Sequence, residues 1–219
     1  MIELINLTKE YQKPPKKVLD RISLTIGDNE MIAIMGKSGA GKSTLLNILG
    51  CIDGITSGEY RYNDILVSDL SAAKRHLFRK QHFSYIFQNF ELIPSYTVYE
   101  NVELPLLARN IGNRREKVQK ALEEVGILEH QKKKMNKLSG GEQQRCAIAR
   151  ALVADTDIIL ADEPTGSLDE QNSIEIMNLL KGFHQRGKTV IIVTHDQDVA
   201  DQCEYCIHIK DGRIGSDDK

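Results

Sequence analysis

Gly36-Lys37-Ser38-Gly39-Ala40-Gly41-Lys42-Ser43 follows directly on the apolar run Met31-Ile32-Ala33-Ile34-Met35 and leads into Thr44-Leu45-Leu46-Asn47-Ile48-Leu49. The continuous apolar run predicts a buried strand, and residues 44–49 predict the helix after it. Strand, glycine-rich loop and helix in that order make a phosphate-binding loop. Gly36, Gly39 and Gly41 let backbone N–H groups converge on an anion, and the helix that begins near Lys42 adds the positive end of its dipole. In this arrangement Lys42 reaches the β and γ phosphates of a nucleotide, and the Ser43 hydroxyl holds Mg²⁺. Lys37, Ser38, Ala40 and Thr44 complete the predicted grip. A chance Gly/Ser turn would have to supply the lysine, the hydroxyl and both flanking elements as well.

Other strand ends carry the remaining chemistry. Asp162-Glu163 follows Ile158-Ile159-Leu160-Ala161, so a second buried strand brings two acids to the sheet edge where α/β folds bind ligands. Beside a phosphate loop, Asp162 is placed to hold Mg²⁺ through its water shell, and Glu163 to polarise a water for attack on the γ-phosphate. An acidic strand-end turn is common by itself; the complete loop is what gives this one a role. His195 ends the run Val190-Ile191-Ile192-Val193-Thr194, where a neutral imidazole can contact the γ-phosphate or position the attacking water. Gln88 closes the apolar stretch 83–87 and offers an amide oxygen to Mg²⁺, although alone it reads as a solvated loop residue.

Ser139-Gly140-Gly141 precedes a stretch in which Cys146, Ile148, Ala149 and Leu152 form an apolar helical face. A helix start with free N–H groups and a serine hydroxyl is a second anion site. Alone, an N-cap with loop glycines is the simpler reading. One small domain has no evident use for two such sites on one triphosphate, whereas two copies packed head to tail do.

At 219 residues the chain suits one well-buried domain and is too short for two nucleotide domains. A net charge of −2 with 27% charged residues leaves no nucleic-acid footprint. The apolar runs are about five residues long, far below the roughly 18 needed to span a bilayer, and Met1-Ile2-Glu3-Leu4 lacks a basic-then-apolar signal. A cytoplasmic chain is expected, its membrane contact made through a partner. Cys203-Glu204-Tyr205-Cys206 has redox or metal spacing, but no second pair accompanies it among Cys51 and Cys146. Reduced thiols are expected, with Cys206 as a small core residue of an alternating strand. Lys132-Lys133-Lys134 reads as a solvated loop.

Strands are expected at 2–7 and 19–26 around Pro14-Pro15, then at 58–62 and 83–87, with a polar helix at 71–81. From Asn89 the pattern turns helical, over 98–107 and 117–125, before the two buried runs separated by a helix at 170–186 that Gly187 stops. Strand-helix-strand with both faces apolar implies a parallel sheet.

The set resembles the ATP-binding-cassette (ABC) ATPases over nearly the whole chain. Residues 36–43 match the Walker A loop, Gln88 the Q-loop, Leu138-Ser139-Gly140-Gly141-Glu142-Gln143 the signature and 158–163 the Walker B strand. Ser167-Leu168-Asp169 matches the D-loop and His195 the switch histidine, while Tyr11 falls where that family stacks adenine, with Val18 beside it. The resemblance implies an α/β P-loop NTPase core with a mostly parallel sheet, an N-terminal antiparallel β subdomain and an inserted helical subdomain. The division would be 1–88 with 152–219, and 89–151. It also implies ATP and Mg²⁺, a homodimer in the ATP-bound state and a transmembrane permease partner. Each site would join Tyr11, the loop, Gln88, Asp162, Glu163 and His195 of one copy to Ser139, Gly141 and Asp169 of the other.

Phe87-Gln88-Asn89-Phe90-Glu91-Leu92-Ile93-Pro94 and Glu100-Asn101-Val102-Glu103-Leu104-Pro105-Leu106 resemble the lipoprotein-release, macrolide-export and antimicrobial-peptide branch. Lys37 in place of a common proline, Tyr85-Ile86 before Phe87, and Met135-Asn136-Lys137 without a proline depart from its pattern. Two other readings share the phosphate loop. A P-loop kinase needs an acceptor pocket and lid, where this chain spends its middle on helices leading to a signature; an ABC-type ATPase of nucleic acid or ribosomes carries coiled-coil insertions or two cassettes.

Overall fold

Strands β1 (Ile2–Gln12), β2 (Pro15–Ile26), β4 (Ser57–Tyr62) and β5 (Ile65–Leu66) form an antiparallel sheet in the order β2-β1-β4-β5. The structure is a computed structural model that describes residues 1–215. A second sheet has the order β10-β9-β3-β8-β7-β6, from β3 (Met31–Met35), β6 (Phe83–Ile86), β7 (Ile158–Asp162), β8 (Thr189–Thr194), β9 (Tyr205–Lys210) and β10 (Arg213–Ile214). Its strands from β9 to β6 are parallel, and only β10 runs against its neighbour.

The continuous apolar runs are explained by what covers each face. Ile191, Val193, Ile158 and Leu160 point into one cluster with Leu45 and Leu49 of α1 (Lys42–Leu49) and with Ile2, Leu4 and Ile22 of the antiparallel sheet. Val190, Ile192, Ile159 and Ala161 point into another, against Val102 and Leu106 of α3 (Val98–Ala108), Ile148 of α5 (Gly140–Val153) and Leu180 and Phe183 of α6 (Glu170–Gln185). Successive strand residues face opposite sides, so covering both sides requires apolar residues at every position. Burying each large side chain contributes about 1.5–3 kcal/mol.

The remaining helices are α2 (Ala72–His82), α4 (Arg114–Glu124) and the short α7 (Gln197–Ala200). Their starts follow side-chain caps where the sequence supplies them: Ser71, Thr97, Ser139 and Asp169 each accept a hydrogen bond from the backbone of the first turn. Among the described residues no helix is long and apolar enough to cross a membrane.

Four expectations shift, the first being strand β2, which begins at Pro15 rather than 19 because Pro15 to Lys17 pair with Glu10 to Gln12 of β1. Strand β1 continues beyond 2–7 to Gln12, because Lys9 is buried with its ammonium donating to Asp53 Oδ1 at 2.6 Å and Gly54 O at 2.7 Å. Register shifts after Leu4 and Leu7 also break the alternation on which a strand is read. Helix α4 begins at Arg114 rather than 117, since its first turn is solvated and its buried face starts only at Val118. On β9, Ile207 and Ile209 enter the core; Cys206 faces the other side, half-buried beside Ala33, Met35 and Ala200.

Candidate functional site

Parallel pairing brings the predicted chemistry to one edge. Met35 is level with Thr194, Val193 with Asp162, and Ala161 with Ile86, so the segments that follow β3, β8, β7 and β6 leave the sheet side by side. A cleft of about 650 Å³ opens there. It is lined by Lys16, Val18, Ser38, Gly39, Gly41, Lys42, Ser43, Thr44, Gln88, Asp162, Glu163 and His195.

The loop is held in shape from beneath. Gly36 has φ +156°, and a Cβ there would lie 2.2 Å from the carbonyl oxygen of Ile209 on β9. Any side chain would push the loop off the sheet. Lys37 is exposed and Ala40 buried, the latter anchored by its carbonyl accepting from Gly212 N at 3.1 Å. Lys42 Nζ donates to Gly36 O at 2.8 Å and lies 3.4 Å from Lys37 O, so its ammonium sits inside the curve of the loop.

Ser43 Oγ donates to Asp162 Oδ1 at 3.3 Å, which joins loop and β7. Burial raises the Asp162 pKa above the usual carboxylate range, the Ser43 hydrogen bond opposing and the neighbouring Glu163 charge adding to the rise. Such a carboxylate gains from a cation placed beside it. Ser43, Asp162 and Gln88 offer a hydroxyl, a carboxylate and an amide oxygen, a donor set that fits Mg²⁺ when phosphate oxygens and water complete its shell.

Glu163 is held on all sides. Its backbone is in the left-handed region at φ +47°, and its N–H donates to Val193 O at 2.9 Å. Thr194 Oγ1 donates to its Oε2 at 3.4 Å, and His195 Nδ1 lies 2.8 Å from its Oε1. A carboxylate oxygen only accepts, so this contact puts a proton on Nδ1 and leaves Nε2 turned outward on a largely exposed ring. Strained backbone of this kind persists where the surroundings fix it, and such positions cluster at functional sites.

Tyr11 does not line the cleft. Its hydroxyl donates to Asp53 Oδ2 at 2.8 Å, Lys9 Nζ lies 4.8 Å from its ring centroid, and Thr44 stands within reach of the phenol. Lys16, which sequence reasoning passed over, does line it. Its place shows only once β2 is seen to begin at Pro15: Lys16 then pairs with Tyr11 across the hairpin and lies two residues from Val18, on the same strand face.

Ser139, Gly140, Gly141 and Asp169 stand apart from this cleft. Ser139 caps α5 in a reciprocal box: its Oγ accepts from Glu142 N at 3.3 Å, and its N–H donates to Glu142 Oε2 at 2.7 Å. His130 Nε2 lies 2.6 Å from the other carboxylate oxygen of Glu142, a buttress with no sequence motif to announce it. Asp169 is exposed at the start of α6.

The box carries a pH dependence. The Ser139 backbone N–H holds the Glu142 pKa below its usual range, helped by the Ser139 hydroxyl, His130 and Lys133, and the Thr97 backbone does the same for Glu100 at α3. A depressed native pKa means that the unfolded chain binds protons first. This stability is complete at neutral pH and is lost as pH falls from the ordinary glutamate value of about 4.3 through the lower native one. Glu142→Gln preserves the box without the titration, so its urea midpoint should fall less than that of the parent between neutral and acid pH.

The family described as ABC transporter matches residues 19–166, well over half of the chain. A macrolide export ATP-binding/permease protein, MacB, of Hyphomonas neptunium is 45% identical over 221 residues, covering 99% of this chain and 34% of that protein. The chain therefore spans about a third of the length of such curated relatives. The solved dimeric structure of MJ0796, a bacterial ABC transporter cassette, is similar at TM-score 0.92 and 43% identity, covering 99% of this chain and 97% of the other. A dimeric post-hydrolysis state of that cassette, bound to ADP and Pi, gives TM-score 0.93 and 42% identity, with coverages of 100% and 98%.

Proposed function

The chain belongs to the ABC transporter family as one of its ATPase cassettes, and on that premise we propose that it hydrolyses ATP between two copies of itself to power a membrane permease. The observation that carries this reading is the convergence, in one cleft, of the phosphate loop with the ends of β6, β7 and β8.

Loop N–H groups and Lys42 bind the β and γ phosphates, with Val18 on the side of the base and Tyr11 outside the cleft beside Thr44. Ser43, Asp162 and Gln88 hold the Mg²⁺ that neutralises phosphate charge. Glu163 takes a proton from the attacking water, and His195 aligns the Glu163 carboxylate and offers Nε2 toward the γ-phosphate. Ser139, Gly140, Gly141 and Asp169, which stand outside the cleft, serve the nucleotide of the partner copy. The dimeric state of the similar MJ0796 structures supports that assignment.

A membrane permease is the partner on whose cytoplasmic face this cassette sits, in a division 1–88 with 152–219 for the nucleotide core and 89–151 for the helical part. Export of a peptide, antibiotic or lipoprotein is the transport it drives, and the relatives named for macrolide export favour the antibiotic. Nucleic acid has no part in the reading.

The test is phosphate release from ATP and Mg²⁺ with no acceptor present, together with sizing of Glu163→Gln. A stable dimer that requires ATP is expected. A chain that turns over only when a metabolite acceptor is added, or a variant that stays monomeric at micromolar concentration with saturating ATP, would refute the proposal.

A further inference from the structure

The signature glycines and the Asp169 turn belong to different parts of the chain, yet one side chain touches both. Asn172, in the first turn of α6, donates its backbone N–H to Asp169 Oδ1 at 2.9 Å, which already satisfies the cap. Its side-chain Nδ2 also donates to Asp169 Oδ2 at 2.8 Å, a bond the helix start does not need. That second bond fixes the amide, and its oxygen then lies against α5: a Cβ on Gly141 would be 2.5 Å from Asn172 Oδ1 and 2.8 Å from its Cγ. On the other flank of Asp169, Leu168 Cδ2 lies 4.0 Å from where a Cβ of Gly140 would be. Gly141 thus rests on Asn172, while Leu168 lies near Gly140 without pressing on it.

We propose that Asn172 is a positioning residue that locks the signature loop to the Asp169 turn, so that a partner copy's nucleotide meets both as one rigid unit. This rests on the shared-site reading above. The amide suits the task because one end donates to the carboxylate while the other fills the space over a glycine backbone. Alanine would release both contacts. Aspartate would keep the shape and set two carboxylates face to face.

The experiment uses the Glu163→Gln chain, sized across protein concentrations with ATP and Mg²⁺, alongside nucleotide titration of the dilute monomer. Asn172→Ala should weaken ATP-dependent dimerisation about tenfold, the loss expected for one hydrogen bond to a charged group, with monomer nucleotide affinity unchanged. Asn172→Asp should weaken it further, and Asp169→Asn combined with Asn172→Asp should recover part of the loss by reversing the donor and acceptor. Gly141→Ala and Asn172→Ala should be non-additive, because the methyl group displaces the same amide. Dimerisation of both Asn172 variants equal to the parent would overturn the proposal. So would a fall in monomer affinity in step with dimerisation, which marks a merely structural residue. If Glu163→Gln itself fails to dimerise, the shared-site reading falls and takes this proposal with it.

Discussion

Lys42→Ala is expected to weaken ATP binding by about 10- to 100-fold, the loss of one or two hydrogen bonds between a cation and phosphate in a partly buried site. The size follows from where the ammonium already is. Lys42 is 9% exposed, and its Nζ donates to Gly36 O within the curve of the loop, so a triphosphate meets a charge that needs little reorganisation. Those carbonyls are weak competitors, and phosphate oxygens replace them at small cost. The loop backbone should survive the substitution, because Gly36 is seated on Ile209 and Ala40 is tied to Gly212, neither through Lys42. Calorimetric titration with a non-hydrolysable analogue separates the possibilities. A near-parental affinity would mean that the loop N–H groups alone hold the phosphates, and a loss of melting temperature in the nucleotide-free chain would mean that the lysine supports the fold.

Which parts of this arrangement could be read from sequence follows from how local each cause is. The runs at 31–35, 158–161 and 190–193 are legible because burial on both faces demands apolar residues without interruption. The helix start at Ser139 is legible because a cap acts within one turn, and Ser71, Thr97 and Asp169 cap their helices in the same way. Strand β1 beyond Leu7 is not, since Lys9 is kept in the sheet by Asp53, more than forty residues away along the chain. The same distance hides the partner of Tyr11, whose hydroxyl is bound by the other oxygen of Asp53. Within the site, the phosphate loop and the strand-end residues Gln88, Asp162, Glu163 and His195 were found because parallel pairing places every carboxyl end on one edge. His130 and Asn172 escaped because each acts through a residue that does carry a motif, and only coordinates show a side chain reaching Glu142 or lying across Gly141.

Glu163→Gln should reduce turnover by about 10²- to 10⁴-fold, the range for removing a positioned general base, while leaving ATP affinity nearly unchanged. The substitution is close to isosteric here. A glutamine oxygen can accept from His195 Nδ1 where Oε1 does now, and its amide nitrogen can turn to Thr194 Oγ1 in place of Oε2. What is lost is the ability to take a proton from water. His195→Ala makes the opposite change, keeping the base and removing the group that aligns it, so its loss should be smaller. If His195→Ala proves the more damaging of the two, the imidazole carries the proton and the carboxylate only orients it. Single-turnover kinetics at saturating ATP, at protein concentrations high enough to hold each variant as a dimer, decide the order without interference from dimer assembly. Glu163→Gln turnover close to that of the parent would remove the base from this carboxylate altogether, and would leave its left-handed backbone and two hydrogen bonds as features of the fold alone.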